Sequence, residues 1–300
     1  DVYKRQVQAV SLPTLPRRLA IIGGGAIGIE FAQMFSRFGV EITVLERSPN
    51  MLDTEDRELA ETLCQLLTNQ SIRLETEAEL KRVQRDGDGK RLTVKCGERE
   101  EEQLVVDELL MAVGRRPSLD SLNLEAAGVQ AGKKGITVDA TLRTNVPHIW
   151  AAGDVTGGLQ FTHVASEQGK LAANNAFARE PKPFNSRVIP WITFTDPPLA
   201  HVGKTEDELR KDGVEYRVAK SSFSENERAI TIGATEGLVK LLVDAKGMIL
   251  GGHILGARAD ELLATITFAM HANVPISQLA STIMAYPTMA EALRLAAEQV

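Results

Sequence analysis

The stretch RLAIIGGGAIGIEFAQMFSRFG, at residues 18–39, decides the fold. It opens with a short apolar run, breaks into three glycines and continues with apolar residues at helical spacing. Such a change of period at a glycine cluster is typical of a strand that turns tightly into a helix. Gly39 ends the predicted helix, and the alternating residues at 40–46 predict a second strand. The stretch therefore predicts a strand–helix–strand unit, and Asp53 is an N-cap candidate for the helix that follows it.

Three glycines in this break match the pattern GxGxxG: Gly23, Gly25 and Gly28. The first permits the tight turn, the second lets a pyrophosphate approach the backbone, and the third lets helix and strand pack closely. Glu46 ends the next predicted strand, near the spacing of about 20 residues typical of a ribose-binding carboxylate. Together these features predict a Rossmann-like domain that binds a dinucleotide. Glu46 would repel a 2′-phosphate and favours NAD, whereas the guanidinium of Arg47 leaves NADP possible.

The remaining patterns predict two further domains. Short strands around the hairpin signal RDGDGK indicate an antiparallel excursion within the first domain, at residues 1–115. Strand patterns and a helix at 161–178 follow in residues 116–184, which end in a proline-rich linker. Residues 185–300 alternate like an antiparallel sheet with helices. The predicted class is α/β, with a Rossmann-like domain, a smaller second part and an α+β domain.

Composition limits the partners. The chain has 300 residues, is 43% hydrophobic and carries a net charge of −6. The acidic balance argues against nucleic acid or an anionic membrane as partner and favours a small molecule. No apolar run approaches the roughly 20 residues of a membrane span, and the opening residues lack a signal-peptide core, so we expect a cytoplasmic protein. Two cysteines and five histidines show no metal-ligand or redox spacing, which predicts no metal site.

Four motifs occur in an order that resembles one enzyme family. They are IIGGGAIGIEFAQMF, AVGRRPSLDSLNLEAAGV, TNVPHIWAAGD and YPTMAEA. The chain resembles the flavoprotein disulfide reductases, the pyridine nucleotide-disulfide oxidoreductases that include dihydrolipoamide dehydrogenase, glutathione reductase and mercuric reductase. The resemblance is strongest to the dihydrolipoamide dehydrogenase and mercuric reductase branch. It implies FAD and NAD(P)H as cofactors and a C-terminal domain that forms a homodimer.

The resemblance also implies the residues that bind the cofactors. Asp154, which follows the predicted buried strand HIWAA, matches the aspartate that contacts the ribityl or pyrophosphate part of FAD; the alternative is a helix N-cap. Glu30 matches a glutamate near nicotinamide and flavin, although a solvated helix charge is an equal alternative. Gly114 matches a turn near the nicotinamide, and Ala78 a residue beside the adenine. The expected cofactor-binding residues are Gly23, Gly24, Gly25, Ala26, Ile27, Gly28, Glu30, Glu46, Ala78, Gly114, Asp154, Gln160, Phe161, Thr162 and His163.

The stretch AYPTMAEALR departs from the family pattern. Dihydrolipoamide dehydrogenase and glutathione reductase carry a His-Pro pair here, with the imidazole as acid-base and a glutamate that orients it. Tyr286 replaces that histidine, while Glu291 remains. A phenol titrates near 10 and an imidazole near 6.5, so a tyrosine is a poor proton shuttle at neutral pH. Tyr286 and Glu291 are the candidate catalytic residues, but Thr288 and Glu291 also match a capping box, which we favour.

The family begins with a first FAD domain that carries its own GxGxxG and a redox-active CxxxxC, in about 150 residues by usual domain size. Residues 1–300 contain no such segment, so we expect an N-terminally truncated fragment that is inactive by itself. The expected parent enzyme passes a hydride from NAD(P)H to FAD and electrons on to a disulfide, a metal ion or another small acceptor. The alternatives are a flavin NADH oxidase or quinone reductase without a redox disulfide, and a non-catalytic nucleotide-binding dimerisation module.

Overall fold

The computed structural model describes residues 3–300, and the chain divides into two compact units. One unit combines Asp1–Val113 with Pro190–Val300, and the other is Gly114–Ile189. The two segments of the first unit therefore form one body, although they are far apart in sequence. The finer division into three domains, at 1–115, 116–184 and 185–300, stays a prediction.

The N-terminal segment contains a parallel sheet and an antiparallel one. Strands β3, β2, β1 and β7 lie side by side in that order and are all parallel, and β4, β5 and β6 form the antiparallel excursion. This confirms the strand–helix–strand unit and the hairpin. The elements are α1 (Gln6–Val10), β1 (Arg18–Ile22), α2 (Ala26–Arg37), β2 (Glu41–Leu45), α3 (Arg57–Asn69), β3 (Arg73–Glu75), β4 (Ala78–Asp86), β5 (Gly89–Cys96), β6 (Glu102–Val106) and β7 (Glu108–Met111).

The second unit has little sheet. Its elements are β8 (Ala131–Gly132), β9 (Gly135–Ile136), a 3₁₀ turn (Gly153–Thr156) and α4 (Thr162–Phe177). The helix predicted at 161–178 is confirmed. The buried strand predicted before Asp154 is wrong, because Trp150 forms a single isolated bridge with Arg143 and no ladder continues from it. An apolar run becomes a strand only where a neighbour pairs with its N–H and C=O groups over several residues.

The C-terminal segment is the predicted antiparallel sheet with helices. Its strands pair in the order β10-β11-β14-β13-β12. The elements are β10 (Pro190–Thr193), β11 (Leu199–Gly203), α5 (Glu206–Lys211), β12 (Arg217–Ser222), a 3₁₀ turn (Phe223–Glu225), α6 (Glu227–Ile232), β13 (Leu238–Val243), β14 (Ile249–Leu255), α7 (Ala259–His271), α8 (Ile276–Ser281) and α9 (Glu291–Ala297). The mixed α/β class is thereby confirmed.

One apolar cluster of the first unit joins its two segments. Parallel strands need apolar residues on both faces, and β1 buries consecutive residues accordingly. Leu59, Leu63 and Leu67 recur at helical spacing on the buried face of α3. Leu199 and Leu255 of the C-terminal sheet belong to the same apolar cluster. Helices α2 and α3 thus join the nucleotide-side sheet to the C-terminal sheet. Among residues 3–300, no helix is long and apolar enough to cross a membrane.

Helix α3 begins at Arg57, not at Asp53 as the sequence suggests. The residue at the N-cap is Asp56, whose side chain makes no capping bond to α3; Lys240 Nζ donates to its carboxylate at 2.8 Å instead. Lys240 is 1% exposed and also contacts Glu58, at 3.0 Å, and Glu206. The local signal for the helix start is overridden by an ion pair with the distant strand β13.

The three carboxylates around Lys240 form an acidic cluster that the spacing of the sequence does not reveal. Carboxylate oxygens of Asp56, Glu58 and Glu206 lie within 4.8 Å of one another, a spacing that suits a cation. The ammonium of Lys240 contacts all three carboxylates. Burial opposes ionisation of Glu58 and Glu206, but hydrogen bonds from lysines prevail and hold the pKa of each carboxyl below its ordinary value. The lysine is therefore the internal cation of this cluster.

We predict that Lys240→Met lowers the free energy of unfolding at neutral pH by about 3–5 kcal/mol, because it leaves the buried carboxylate of Asp56 without a counter-charge. The matched control is Lys204→Met, which removes an exposed ion pair with Asp212 and should cost under about 1 kcal/mol. Urea unfolding measures both. The difference should shrink as the pH falls through the lowered pKa values of the carboxyls, because protonation removes their repulsion. Equal losses in the two variants would contradict this account.

Candidate nucleotide-binding site

The glycine loop lies at the carboxyl end of β1, where β2 and β7 diverge to either side. Gly23 has φ +107°, and a Cβ there would lie 2.5 Å from the carbonyl oxygen of Ala112. A Cβ on Gly28 would overlap the carbonyl oxygen of Gly23. Only glycine at these two positions lets α2 start directly over the strand. The crevice at such a strand divergence is where open α/β sheets bind ligands.

Gly25 differs from the other two glycines because open space surrounds it. It is the N-cap of α2 with φ −76°, and nothing lies within 4 Å of a Cβ placed there. The first intrahelical hydrogen bond is donated by Ile29 N–H to Gly25 O, at 3.0 Å. The amides of Ala26 and Ile27 therefore have no acceptor within the helix. Free amides and the helix dipole at an open N-terminus suit a pyrophosphate.

Glu46 is anchored to the glycine loop. Its carboxylate accepts hydrogen bonds from Gly24 N–H at 2.6 Å and from Ser48 N–H at 2.8 Å. Burial opposes ionisation, but these hydrogen bonds prevail and lower the pKa of the carboxyl. A carboxylate accepts about four hydrogen bonds, and Ser48 Oγ provides one more at 3.0 Å, so capacity for a ribose hydroxyl remains. The charge, the position and the spare acceptor fit a dinucleotide ribose.

Two apolar residues that the sequence analysis missed support the loop from below. Leu52 N–H donates to Gly24 O at 2.9 Å, and Met51 packs so closely that a Cβ on Gly24 would overlap its sulfur. Ala78 is buried and donates its N–H to the carbonyl oxygen of Glu46 at 2.8 Å. It therefore neighbours the predicted ribose carboxylate. The sequence marks Met51 and Leu52 only as an apolar pair in a polar loop.

Glu30 is half-buried on α2 and not simply solvated. Its carboxylate accepts a hydrogen bond from Phe194 N–H at 2.7 Å. On the same face of α2, Gln33 bonds the backbone of Asp196, and Arg37 pairs with the Asp196 carboxylate at 2.6 Å. The loop between β10 and β11 is thereby fastened along the nucleotide-side helix. Proximity of Glu30 to a nicotinamide stays a prediction.

In the second unit, Asp154 lies exposed in the 3₁₀ turn, and its carboxylate caps no helix, because the N-cap of α4 is Phe161. Gly153 holds the turn in place by donating its N–H to the buried side chain of Gln168 at 2.7 Å. A Cβ on Gly153 would lie 2.9 Å from Ala165 Cβ, so the turn packs against the first turns of α4. Sequence reasoning missed Gln168, whose partner is fifteen positions away.

The start of α4 collects the remaining predicted flavin residues. The rings of Phe161 and His163 stack at 5.4 Å between centroids, and Gln160 is half-buried beside them. Thr162 and His163 are exposed in the first turn, which has no side-chain cap. Gly114 opens this unit with φ +106° and free space around its Cα. An uncapped helix start with an exposed carboxylate nearby fits a sugar–phosphate ligand.

The two candidate catalytic residues differ in exposure. Tyr286 is 71% exposed. Glu291 is buried and accepts a hydrogen bond from Thr288 N–H at 3.2 Å, and Thr288 Oγ1 donates to Ala285 O at 2.6 Å. The favoured capping box is wrong, because α9 begins at Glu291 and its N-cap is Ala290. Glu291 therefore stabilises the turn before α9.

Neither cysteine has the environment of a reactive thiol. Burial raises the pKa of Cys64 to about 11 and also raises that of Cys96. A raised pKa removes the thiolate that redox and metal chemistry require. Both thiols are therefore unreactive.

Comparison with known proteins defines the class. Residues 2–169 match the family described as pyridine nucleotide-disulphide oxidoreductase, and residues 189–297 match its dimerisation domain. The chain belongs to the pyridine nucleotide-disulphide oxidoreductase family.

Among its relatives, a mercuric reductase of Bacillus cereus is 38% identical over 98% of the chain, and a dihydrolipoyl dehydrogenase of Thermus scotoductus is 38% identical over 95%. The HOCl-induced flavoprotein disulfide reductase RclA from Escherichia coli superposes with a TM-score of 0.91 at 32% identity, over 99% of this chain and 68% of that one. The chain spans 47% of the length of the first relative and 62% of the second.

We predict that Gly25→Ala weakens NADH binding by at least about tenfold, because a methyl group would enter the space at the start of α2 that a pyrophosphate needs. The backbone there accepts any residue, so the free energy of unfolding should change by less than about 1 kcal/mol. Calorimetric titration and urea unfolding measure the two effects. Gly169→Ala, at another open helical glycine, is the control and should leave NADH affinity unchanged. Normal NADH affinity in Gly25→Ala would refute the phosphate assignment.

Proposed function

We propose that the chain is the NAD(P)H-binding, partial FAD-binding and dimerisation portion of a flavin-dependent oxidoreductase. The whole enzyme takes a hydride from NAD(P)H onto FAD and passes electrons to a disulfide, a metal ion or another small acceptor. The observation that carries this proposal is the glycine loop with its open helix start, together with the ionised Glu46 hydrogen-bonded to Gly24 at 2.6 Å. Family membership supports the same reading.

The chain's own residues have distinct parts in this proposal. The amides at the start of α2 hold the pyrophosphate of the dinucleotide, and Glu46 holds the adenosine ribose and disfavours a 2′-phosphate, so NAD is preferred over NADP. Asp154 and the start of α4 hold sugar and phosphate groups of FAD. Bound FAD supplies the two-electron chemistry. Glu30 fastens the loop that carries Phe194 beside α2.

The residue at position 286 bears on the acceptor. A phenol is a weaker proton shuttle than an imidazole at neutral pH, which disfavours dithiol–disulfide exchange. Two of the named relatives point to different acceptors, one being a mercuric reductase and the other a dihydrolipoyl dehydrogenase. Tyr286 favours a metal ion as acceptor, since the family resemblance implies a tyrosine at this position in mercuric reductases. Glu291 takes the structural part that its bond to Thr288 indicates.

We further propose a homodimer in the cytoplasm. The match to a dimerisation domain supports the dimer. Apolar side chains are exposed on the C-terminal segment, with Phe268 at 68% and Ile283 at 97%. Burying such surface against a second copy is favourable. The cytoplasmic location rests on the sequence interpretation alone.

We predict that Glu46→Ala weakens NADH binding by about tenfold or more, the effect of losing a charge-assisted hydrogen bond to the ribose. Glu46→Gln keeps an acceptor for Gly24 N–H but removes the charge, so its affinity for NADPH should rise relative to NADH. Calorimetric titration with both dinucleotides measures this. Glu79→Ala removes an exposed carboxylate nearby and is the control. Unchanged NADH affinity in both Glu46 variants would remove the ribose assignment.

We predict that Asp154→Ala, made in the full-length protein, lowers flavin occupancy, because the variant loses an acceptor for the sugar hydroxyls. Flavin absorbance relative to protein measures occupancy. Asp120→Ala, another exposed aspartate of the second unit, is the control. Full occupancy in Asp154→Ala would count against the flavin role.

The coding sequence upstream of Asp1 separates the remaining alternatives. An in-frame GxGxxG followed by CxxxxC supports the disulfide or metal reductase. A flavin domain without those cysteines supports an oxidase or quinone reductase. A start codon near Asp1 favours the non-catalytic module.

A further inference from the structure

A short turn connects the glycine loop to the C-terminal sheet. Leu52 donates its N–H to Gly24 O at 2.9 Å, and Glu55 donates its N–H to Leu52 O at 2.9 Å. Glu55 therefore lies one turn after Leu52, the residue that supports the glycine loop. Its side chain points into the interface with β10 and β11, where Trp191 Nε1–H donates to Glu55 Oε1 at 2.8 Å.

Glu55 Oε2 and His201 Nδ1 face each other, but no hydrogen bond joins them. Glu55 Oε2 lies 3.5 Å from His201 Nδ1, and both side chains are 1% exposed. Neither atom has a hydrogen-bond partner among the described residues. Buried polar atoms are almost always paired, and an unmet one is costly. One proton between the two atoms would satisfy both.

The tautomer of His201 indicates which of the two atoms carries the proton. His201 Nε2 lies 3.0 Å from Gly203 O, and a carbonyl only accepts, so Nε2 carries hydrogen. In a neutral imidazole, Nδ1 then has a lone pair that points toward Glu55 Oε2. An ionised Glu55 would oppose that lone pair with its own. A protonated Glu55 would instead donate to it.

The surroundings favour the neutral pair over an ion pair. Burial raises the pKa of Glu55 to about 7, the charge of Asp56 adds to this, and the hydrogen bond from Trp191 opposes it in part. Burial lowers the pKa of His201 well below its ordinary value. The imidazole stacks on Trp191 at 3.7 Å and meets the edge of His253 at 4.7 Å. An imidazolium in this setting would be strongly disfavoured.

Other titratable and charged groups surround the pair on the neighbouring elements. His253 on β14 faces His201, donates from Nε2 to Lys204 O at 3.0 Å, and has a pKa lowered by burial to about 4. Asp56 at the start of α3 is paired with Lys240 of β13, which also holds Glu206 of α5. Glu55, with a pKa of about 7, changes its charge near neutrality. Spacing along the chain does not reveal the histidine pair, because the two residues are cross-strand neighbours.

We propose that Glu55 is a positioning residue for the glycine loop: as a neutral acid it donates a hydrogen bond to His201 Nδ1, and its ionisation loosens the turn that supports Gly24. This rests on the proposed dinucleotide site. Dinucleotide affinity then falls as Glu55 loses its proton, because the contact between Glu55 Oε2 and His201 Nδ1 that anchors the turn becomes repulsive. A raised pKa means that the anchor is intact at low pH and lost as the pH rises through about 7.

The test is the affinity of the 300-residue chain for ADP-ribose, whose pyrophosphate and ribose probe the loop without the nicotinamide. Calorimetric titration at about pH 6 and about pH 8.5 brackets the pKa of Glu55. The wild type should bind about fivefold more weakly at the higher pH, the effect of losing one hydrogen bond. Glu55→Gln keeps a donor toward His201 and cannot ionise, so its affinity should not change with pH. Glu61→Gln, an exposed glutamate of α3, should keep the wild-type pH dependence.

A second measurement locates the proton independently of binding. The wild type at about pH 6 should show a buried carboxylic acid C=O band in the infrared that is absent from Glu55→Gln. Absence of that band would overturn the assignment of a neutral acid and a neutral imidazole. A ¹⁵N NMR chemical shift typical of an imidazolium at His201 would overturn it as well. If the chain binds ADP-ribose equally at both pH values, the positioning role is overturned while the proposed function stands. If it binds no ADP-ribose at either pH, both are overturned.

Discussion

Helix α2 can begin directly over β1 only because the backbone at Gly28 contacts the backbone at Gly23, with no side chain between them. A Cβ at Gly28 would overlap the carbonyl oxygen of Gly23. That close approach points the first amides of α2 at open space beside Gly25, and it brings Gly24 within reach of the Glu46 carboxylate at 2.6 Å. The proposed phosphate-binding and ribose-binding features therefore depend on one steric constraint. Residues with larger side chains at Gly28 would separate the helix from the strand and dismantle both.

The loop is held by the C-terminal sheet as well as by its own strand. Residues of the turn between β2 and α3 place two acids in the interface, Glu55 against Trp191 and Asp56 against Lys240. Buried polar groups are tolerated only when partners satisfy them, so each of these contacts specifies how the two sheets meet. Because an unpaired buried acid is costly, the two sheets must meet in the geometry that gives each acid its partner. The nucleotide side and the dimerisation side of this unit are consequently not independent modules.

The predictions that succeeded were those with a local cause. The strand–helix–strand unit around the glycines, the RDGDGK hairpin and the helix at Thr162–Phe177 all depend on neighbours within a few residues, which a sequence displays. The failures involve distant partners. Asp53 was a plausible N-cap, but the helix starts later because Asp56 binds a lysine 184 positions away. The apolar run before Asp154 pairs through a single bridge, and sequence periodicity cannot reveal a missing ladder.

The sequence by itself determined the class of protein, because the glycine pattern and its acid are requirements of backbone geometry that operate within one strand–helix–strand unit. It also predicted which residues face the expected cofactors and showed the replacement of histidine by Tyr286. Only the tertiary structure decided what anchors those residues: Gln168 for Gly153, Leu52 for Gly24, and the Glu55–His201 pair behind the loop. The physical reason is that hydrogen-bond partners in a folded core are chosen by distance in space, whereas periodicity reports only distance along the chain.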